Sequence, residues 1–193
     1  MSASADLNSG GISVRDQFVV SAQTQALLQC AQARQARGDF APARVGSGTN
    51  AQRREDIRGD FTCWLREPLY PAERSLLDRL EELRLELNRE ATLGLFELEL
   101  HYARYPPGAG YARHVDQPQG TSLRQVSLVL YLNADWRPSD GGVLRLHDSD
   151  DRTLDIEPVG GRLVCFLTPG RVHEVLTARR ERLSITGWFR ARE

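Results

Sequence analysis

The chain has 193 residues, 40% hydrophobic and 26% charged, with a formal net charge of −1. This fits one globular domain, residues 1–193, and gives no electrostatic footing for nucleic acid or an anionic membrane as partner. Cys30, Cys63 and Cys165 are far apart and unpatterned, which points to reduced thiols in the cytoplasm rather than a disulfide framework. The start, MSASADLNSGG, lacks basic and apolar regions and is not expected to be a secretory signal. The longest apolar runs, Val126–Leu132 and Leu163–Leu167, are too short to span a bilayer as helices and read as buried strands. No oligomerisation signature is visible, and a monomer is expected.

Residues 1–10 are expected to fray. Gly11–Val20 holds a short apolar stretch that reads as an opening strand. Ser21 is expected to cap a helix to about Arg37, with Gly38 as its stop. The Gly-, Ser-, Asn- and Arg-rich run from Ala41 to Ile57 reads as a mobile loop flanked by short strands. Phe61–Leu65 alternates like a strand. Pro71 suits the first turn of a second helix, to about Glu90. Leu76, Leu80, Leu83 and Leu87 give that helix one apolar stripe for the core.

After Gly94 the pattern turns to β. Candidate strands are Phe96–Arg104, Tyr111–His114, Gln125–Asn133, Val143–His147, Thr153–Ile156, Arg162–Leu167, His173–Val175 and Leu183–Arg190. Pro- and Gly-rich turns separate them. Many short strands at near-regular spacing predict a sandwich or jelly roll, with the two helices on one outer face.

His114-Val115-Asp116, with His173 downstream, has the donors of a two-His-one-carboxylate iron site. Residues two apart on a strand face the same side, so His114 and Asp116 can share one metal while Val115 points away. Such a site leaves three positions open, two for a bidentate 2-oxo acid and one for O2. HxD alone is a common surface string, and the whole constellation carries the argument. Arg182 supplies a cation able to hold a cosubstrate carboxylate bidentately. Thr186, four residues on, shares its strand face and can add a hydrogen bond. His101 and His147 lack such companions and read as structural.

These residues resemble the 2-oxoglutarate- and Fe(II)-dependent prolyl hydroxylase family across roughly Asp56–Arg190. YPPGAGYARHVDQP is similar to the segment carrying the first two iron ligands. RQVSLVLYLNADW and DGGVLRL are similar to the core strands that follow. GRLVCFLTPGRVHEV…ERLSITGWF is similar to the closing segment with the last ligand and the cosubstrate arginine. Asp56-Ile57-Arg58-Gly59-Asp60 with Trp64 resembles the animal oxygen-sensing subgroup and its bacterial relatives. The resemblance implies a double-stranded β-helix, or distorted jelly roll, mainly β with supporting helices.

The resemblance also implies roles. His114, Asp116 and His173 would be the metal and catalytic residues. Tyr105 and Tyr131 would line the cosubstrate pocket, Tyr131 joining Arg182 and Thr186 at the distal carboxylate. Arg58 and Asp60 would belong to a substrate loop within 41–64. Arg124 would sit at the substrate entrance, with Asp60 able to pair with it, and Trp188 would line the pocket near the metal. The implied cofactors are Fe(II), 2-oxoglutarate, O2 and, as a candidate, ascorbate. The YPPGAGY segment is one residue shorter than in the animal oxygen sensors and the stretch from Asp116 to Arg124 one longer, which puts substrate identity in doubt more than chemistry.

The function implied is hydroxylation of a prolyl residue in a protein, with succinate and CO2 released. Kinship with bacterial relatives makes elongation factor Tu a candidate partner. Two alternatives remain open: a hydroxylase of free proline or another small molecule, and a non-catalytic jelly-roll binding module.

Overall fold

The computed structural model describes residues 3–46, 52–116, 123–148, 150 and 152–192. Three helices precede or interleave with the first strands: α1 (Ala3–Gly10), α2 (Ser21–Ala36) and α3 (Pro71–Ala91). The strands are β1 (Ile12–Arg15), β2 (Ala41–Pro42), β3 (Phe61–Trp64), β4 (Leu95–Tyr105), β5 (Tyr111–His114), β6 (Arg124–Tyr131), β7 (Leu144–His147), β8 (Thr153–Ile156), β9 (Leu163–Leu167), β10 (His173–Val175) and β11 (Arg182–Ala191). They form a seven-stranded sheet, β1-β9-β6-β11-β4-β3-β2, facing a four-stranded one, β5-β10-β7-β8. All the strand pairings are antiparallel. This is the expected double-stranded β-helix, with strand ends within about two residues of those read from the sequence.

Strand β6, central in the large sheet, is buried on both faces, which explains why it reads as a nearly continuous apolar run. Val126, Leu128 and Leu130 face the helices, packing with Leu76, Leu80, Leu83 and Leu87 of α3. Val129 and Tyr131 face inward, against Leu144, Leu146 and Phe166 between the sheets. The inner layer narrows around the cleft described below. The helices cover the outer face, as expected.

Three expectations about the N-terminal region need correction. Residues 3–10 do not fray: Ala3 and Leu7 are 0% and 2% exposed and pack in the helix-side core. A helix with so few apolar positions is marginal alone and takes its stability from docking. Gly11, read as the start of a strand, instead ends α1 at φ 69°, its N–H bonded to Leu7 O at 2.9 Å. Ser21 opens α2 but does not cap it; Val20 occupies the cap position and no side chain caps that end. The predicted stop at Gly38 is as expected: Gly38 N–H bonds Gln35 O, and Asp39 N–H bonds Arg34 O.

A buried ion pair stitches α2 to α3 and β4. Arg34 donates to both carboxylate oxygens of Glu73, each at 2.7 Å. Glu73 also accepts from Tyr102 OH and from Tyr70 N–H, each at 2.9 Å. Burial opposes the Glu73 charge, but these donors outweigh it and hold its pKa below the ordinary value. Removing one partner strands a buried charge, so Glu73→Ala is expected to cost about 3–5 kcal/mol in urea unfolding. A loss under about 1 kcal/mol would show that the pair does not bind the helices to the sheet.

Candidate active site

The site forms where the minor sheet faces the large one. His114 ends β5 and pairs directly with His173, the first residue of β10. Asp116 follows β5 two residues on, as the strand periodicity requires. Ligand-type atoms of His114, Asp116 and His173 all lie within 4.8 Å of one another. His114 Nε2 is 3.5 Å from one Asp116 oxygen, and His173 Nε2 is 3.5 Å from the other.

Backbone carbonyls fix both imidazoles. His114 Nδ1 donates to Ala112 O at 2.8 Å, and His173 Nδ1 to Arg171 O at 3.0 Å. A carbonyl only accepts, so both rings carry a proton on Nδ1, and each Nε2, once deprotonated, presents its lone pair beside Asp116. Ser127 Oγ donates to Asp116 at 2.8 Å and lies 3.0 Å from Thr168 Oγ1. Tyr111 stacks on His114 at 3.5 Å and 12°, while Phe166 meets His173 edge-on.

Arg182, at the start of β11, is 1% exposed. Its Nε donates to Gly142 O at 2.8 Å, and its guanidinium lies 5.0 and 5.1 Å from the Tyr105 and Tyr131 rings. Gly142 has φ 66°, and a Cβ there would sit 3.0 Å from the Arg182 side chain. No carboxylate among the described residues lies within ion-pair distance of Arg182. Burial raises the Tyr131 phenol's pKa and the nearby guanidinium lowers it, yet the OH has no partner in hydrogen-bond geometry among the described residues. Arg182 thus lines a cleft of about 480 Å³, solvent at its mouth included, while Tyr131, expected in the same pocket, lies against that arginine without lining the cleft.

Residues 100–190 match the 2OG-Fe(II) oxygenase superfamily. The fold superposes on a prolyl-4-hydroxylase from Pseudomonas putida with a TM-score of 0.90 and 42% identity, covering 99% of this chain and 98% of that one. The chain belongs to the 2-oxoglutarate- and Fe(II)-dependent prolyl hydroxylase family. A Trichoplax adhaerens prolyl hydroxylase, solved with a hypoxia inducible factor peptide fragment, matches at 28% identity and TM-score 0.86 over 97% of this chain and 87% of that one. Egl nine homolog 1 of Homo sapiens is 33% identical over 193 residues, 95% of this chain but 44% of that protein. The chain spans about half the length of the curated relatives it matches.

The family implies Fe(II) and 2-oxoglutarate, and the donors of this prolyl hydroxylase-family chain fit both. Two neutral imidazoles and a carboxylate suit Fe(II). The unpaired Arg182 and the Tyr131 OH suit an anion with hydrogen-bond acceptors.

Of the other residues expected in the site, Arg58, Tyr105, Thr186 and Trp188 line the cleft. Arg124 stands behind it, stacked 3.5 Å from the Trp188 ring centroid and donating to Asp116 O and Glu99. Asp60 does not pair with Arg124 as expected. It accepts two hydrogen bonds from Arg58, two residues away on the same segment, at 2.7 and 3.1 Å. Arg58 in turn lies over Tyr111, the residue stacked on His114. The expected loop at 41–64 is tied down in its described part: Gly59 N–H bonds Gly110 O, and Ala112 N–H bonds Ile57 O. Residues 47–51 of that loop, and 117–122 of the longer stretch after Asp116, lie outside the described residues.

Ser127, Thr168, Tyr111 and Phe166 were not singled out from the sequence. Strand parity could have found Ser127, which shares the inward face of β6 with Tyr131. His147 is a paired histidine, 2.9 Å from Glu174. His101, read as structural, instead lines the cleft.

Metal binding requires both imidazoles neutral. Burial works against charge on His173, but Asp116 outweighs it and raises the His173 pKa. Burial, with His173 alongside, lowers that of His114 despite Asp116. In the metal-free protein the His173–Asp116 pair therefore stabilises fully below the ordinary imidazole pKa and loses its effect as pH rises through the raised one. Metal competes with that proton, so Mn(II) affinity is expected to fall from about pH 8 to about pH 6. Calorimetric titration checks this; a flat profile would remove His173 from the ligand set.

Proposed function

We propose that this chain hydroxylates a prolyl residue in a protein substrate, using Fe(II), 2-oxoglutarate and O2, and that elongation factor Tu is the first substrate to test. The observation that carries the reading is the convergence, in one cleft, of His114, Asp116 and His173 with a buried arginine that has no carboxylate partner among the described residues. Three protein ligands would hold the iron, leaving positions for the 2-oxo acid and O2. When bound, the iron supplies the redox chemistry by which O2 oxidises 2-oxoglutarate to succinate and CO2 and hydroxylates a carbon of the substrate.

The chain's own residues bind and orient. Arg182, with Tyr131 and Thr186, takes the distal carboxylate of 2-oxoglutarate. Ser127, itself bonded to Thr168, holds the Asp116 carboxylate, and the two backbone carbonyls hold the imidazoles. A protein substrate is favoured by Arg58, which lines the cleft and also a neighbouring groove formed with Pro42, Phe61, Pro106 and Ala109. The relatives' names point the same way. No helix among the described residues is long and apolar enough to cross a membrane. A cytoplasmic monomer is the working assignment, with ascorbate as a candidate reductant.

The test is incubation with Fe(II), 2-oxoglutarate and elongation factor Tu, followed by peptide mass spectrometry. One proline gaining a single oxygen, only with 2-oxoglutarate present, supports the reading in full. Stimulation of 2-oxoglutarate consumption by free proline, with proteins unmodified, would replace it with a small-molecule hydroxylase. No succinate under any condition would leave a binding module.

A further inference from the structure

Strand β4 alternates across the sheet. Leu100 and Tyr102 face the helix-side core, while His101, Ala103 and Tyr105 line the cleft. Tyr105 pairs with Arg182 and His101 with Thr186. His101 is thus four residues, roughly 13 Å, along β4 from Tyr105, and its ring lies beside those of Trp64 and Trp188, whereas the Arg182 guanidinium lies beside Tyr105 and Tyr131. Nor does it join the metal-ligand group.

His101 is 2% exposed, its ring 4.8 Å from that of Trp64 and 5.6 Å from that of Trp188. Its Nδ1 is buried and has no hydrogen-bond partner among the described residues, and the same holds for Trp188 Nε1. Buried polar groups are almost always paired, and leaving them unpaired is costly. Two orphaned ring nitrogens on adjacent side chains of one cleft wall therefore point to a ligand. Burial, together with Arg58 and Arg124 and against Asp60 and Asp116, holds the imidazole pKa down to about 4. The ring is neutral, with one N–H and one lone pair.

We propose that His101 is a substrate-binding residue, its Nδ1–H acting with the Trp188 indole N–H as a pair of donors for a main-chain carbonyl flanking the target proline. An indole nitrogen only donates, so the occupant must accept. A carbonyl oxygen has two lone pairs, and a prolyl nitrogen has no hydrogen, so acceptors dominate such a segment. The inference rests on the prolyl reading above.

The test compares wild type with His101→Leu, which removes the polar ring, and His101→Asn, whose amide reaches the Nδ1 position. Mn(II) affinity is expected within about twofold of wild type, because His101 is not among the metal donors. Removing an orphaned polar group should leave the Leu variant's thermal midpoint at or above wild type. Its KM for hydroxyproline formation should rise about tenfold, and Asn should recover most of that loss. The substrate is elongation factor Tu, or total bacterial lysate protein if wild type leaves that factor unmodified. A wild-type KM in the Leu variant overturns this inference alone. A lowered midpoint with weakened Mn(II) binding overturns it in favour of a structural role. Absence of hydroxyproline from wild type on every protein tested removes the prolyl reading, and this inference with it.

Discussion

Asp116→Ala is expected to abolish turnover and to weaken Fe(II) or Mn(II) binding by more than about 100-fold, while the protein stays folded. The carboxylate is the one anionic donor in the group, and it lies 3.5 Å from both imidazoles. Without it two neutral nitrogens face a dication, which is a poor site for a hard metal. The barrel itself does not depend on Asp116, which sits outside both apolar clusters. Near-UV circular dichroism should therefore match wild type. Ser127→Ala provides a graded companion. It leaves the three donors in place but frees the oxygen that Ser127 holds at 2.8 Å. Loss of such an outer partner costs about 10- to 100-fold in metal affinity, so the Ser127 variant should fall between wild type and Asp116→Ala. Metal affinity within tenfold of wild type in Asp116→Ala would sink the assignment of this group as the iron site.

Much of this site could be read before any fold was known, because its signals are local or follow a short period. Histidine and aspartate two apart on a strand must share a face, and the structure brings them together with His173 through the β5–β10 pairing. The leucine stripe of α3 and the strands after Gly94 carried the architecture for the same reason. What the sequence hid depends on distant packing. Helix α1 has too few apolar positions to stand out; Ala3 and Leu7 matter only because a core receives them. The partner of Asp60 is hidden in the sequence because Arg58 and Arg124 are both cations within reach, and only the register of residues 57–59 against β5 decides between them. His101 stands alone in the sequence and carries no signal there. Its place on the inward face of β4, between two tryptophans, becomes visible only when β3, β4 and β11 are aligned.

Replacing Arg182 should separate cosubstrate binding from metal binding. A bidentate, charge-assisted pair in a buried pocket is worth enough that Arg182→Ala is expected to raise the KM for 2-oxoglutarate about 100-fold or more. Mn(II) affinity in the absence of cosubstrate should change little, since Arg182 touches none of the three metal donors. The charge also predicts an effect on stability. Arg182 is 1% exposed, and its Nε donates to Gly142 O rather than to a carboxylate. Without cosubstrate it is a desolvated cation lacking its counter-ion, an arrangement that costs stability. Arg182→Met keeps most of the volume and removes the charge, so the ligand-free variant should be at least as stable as wild type in urea. Wild type should gain about 2.7 kcal/mol at a 2-oxoglutarate concentration 100 times its dissociation constant, and Arg182→Met should gain almost nothing at that same concentration. Selectivity gives a third readout. A 2-oxo acid without the distal carboxylate cannot use Arg182, so the preference of wild type for 2-oxoglutarate over 2-oxobutyrate should collapse in the variant. An unchanged KM together with unchanged selectivity would show that the cosubstrate anchors elsewhere, and Tyr131, with its unpartnered hydroxyl, would then be the next residue to replace.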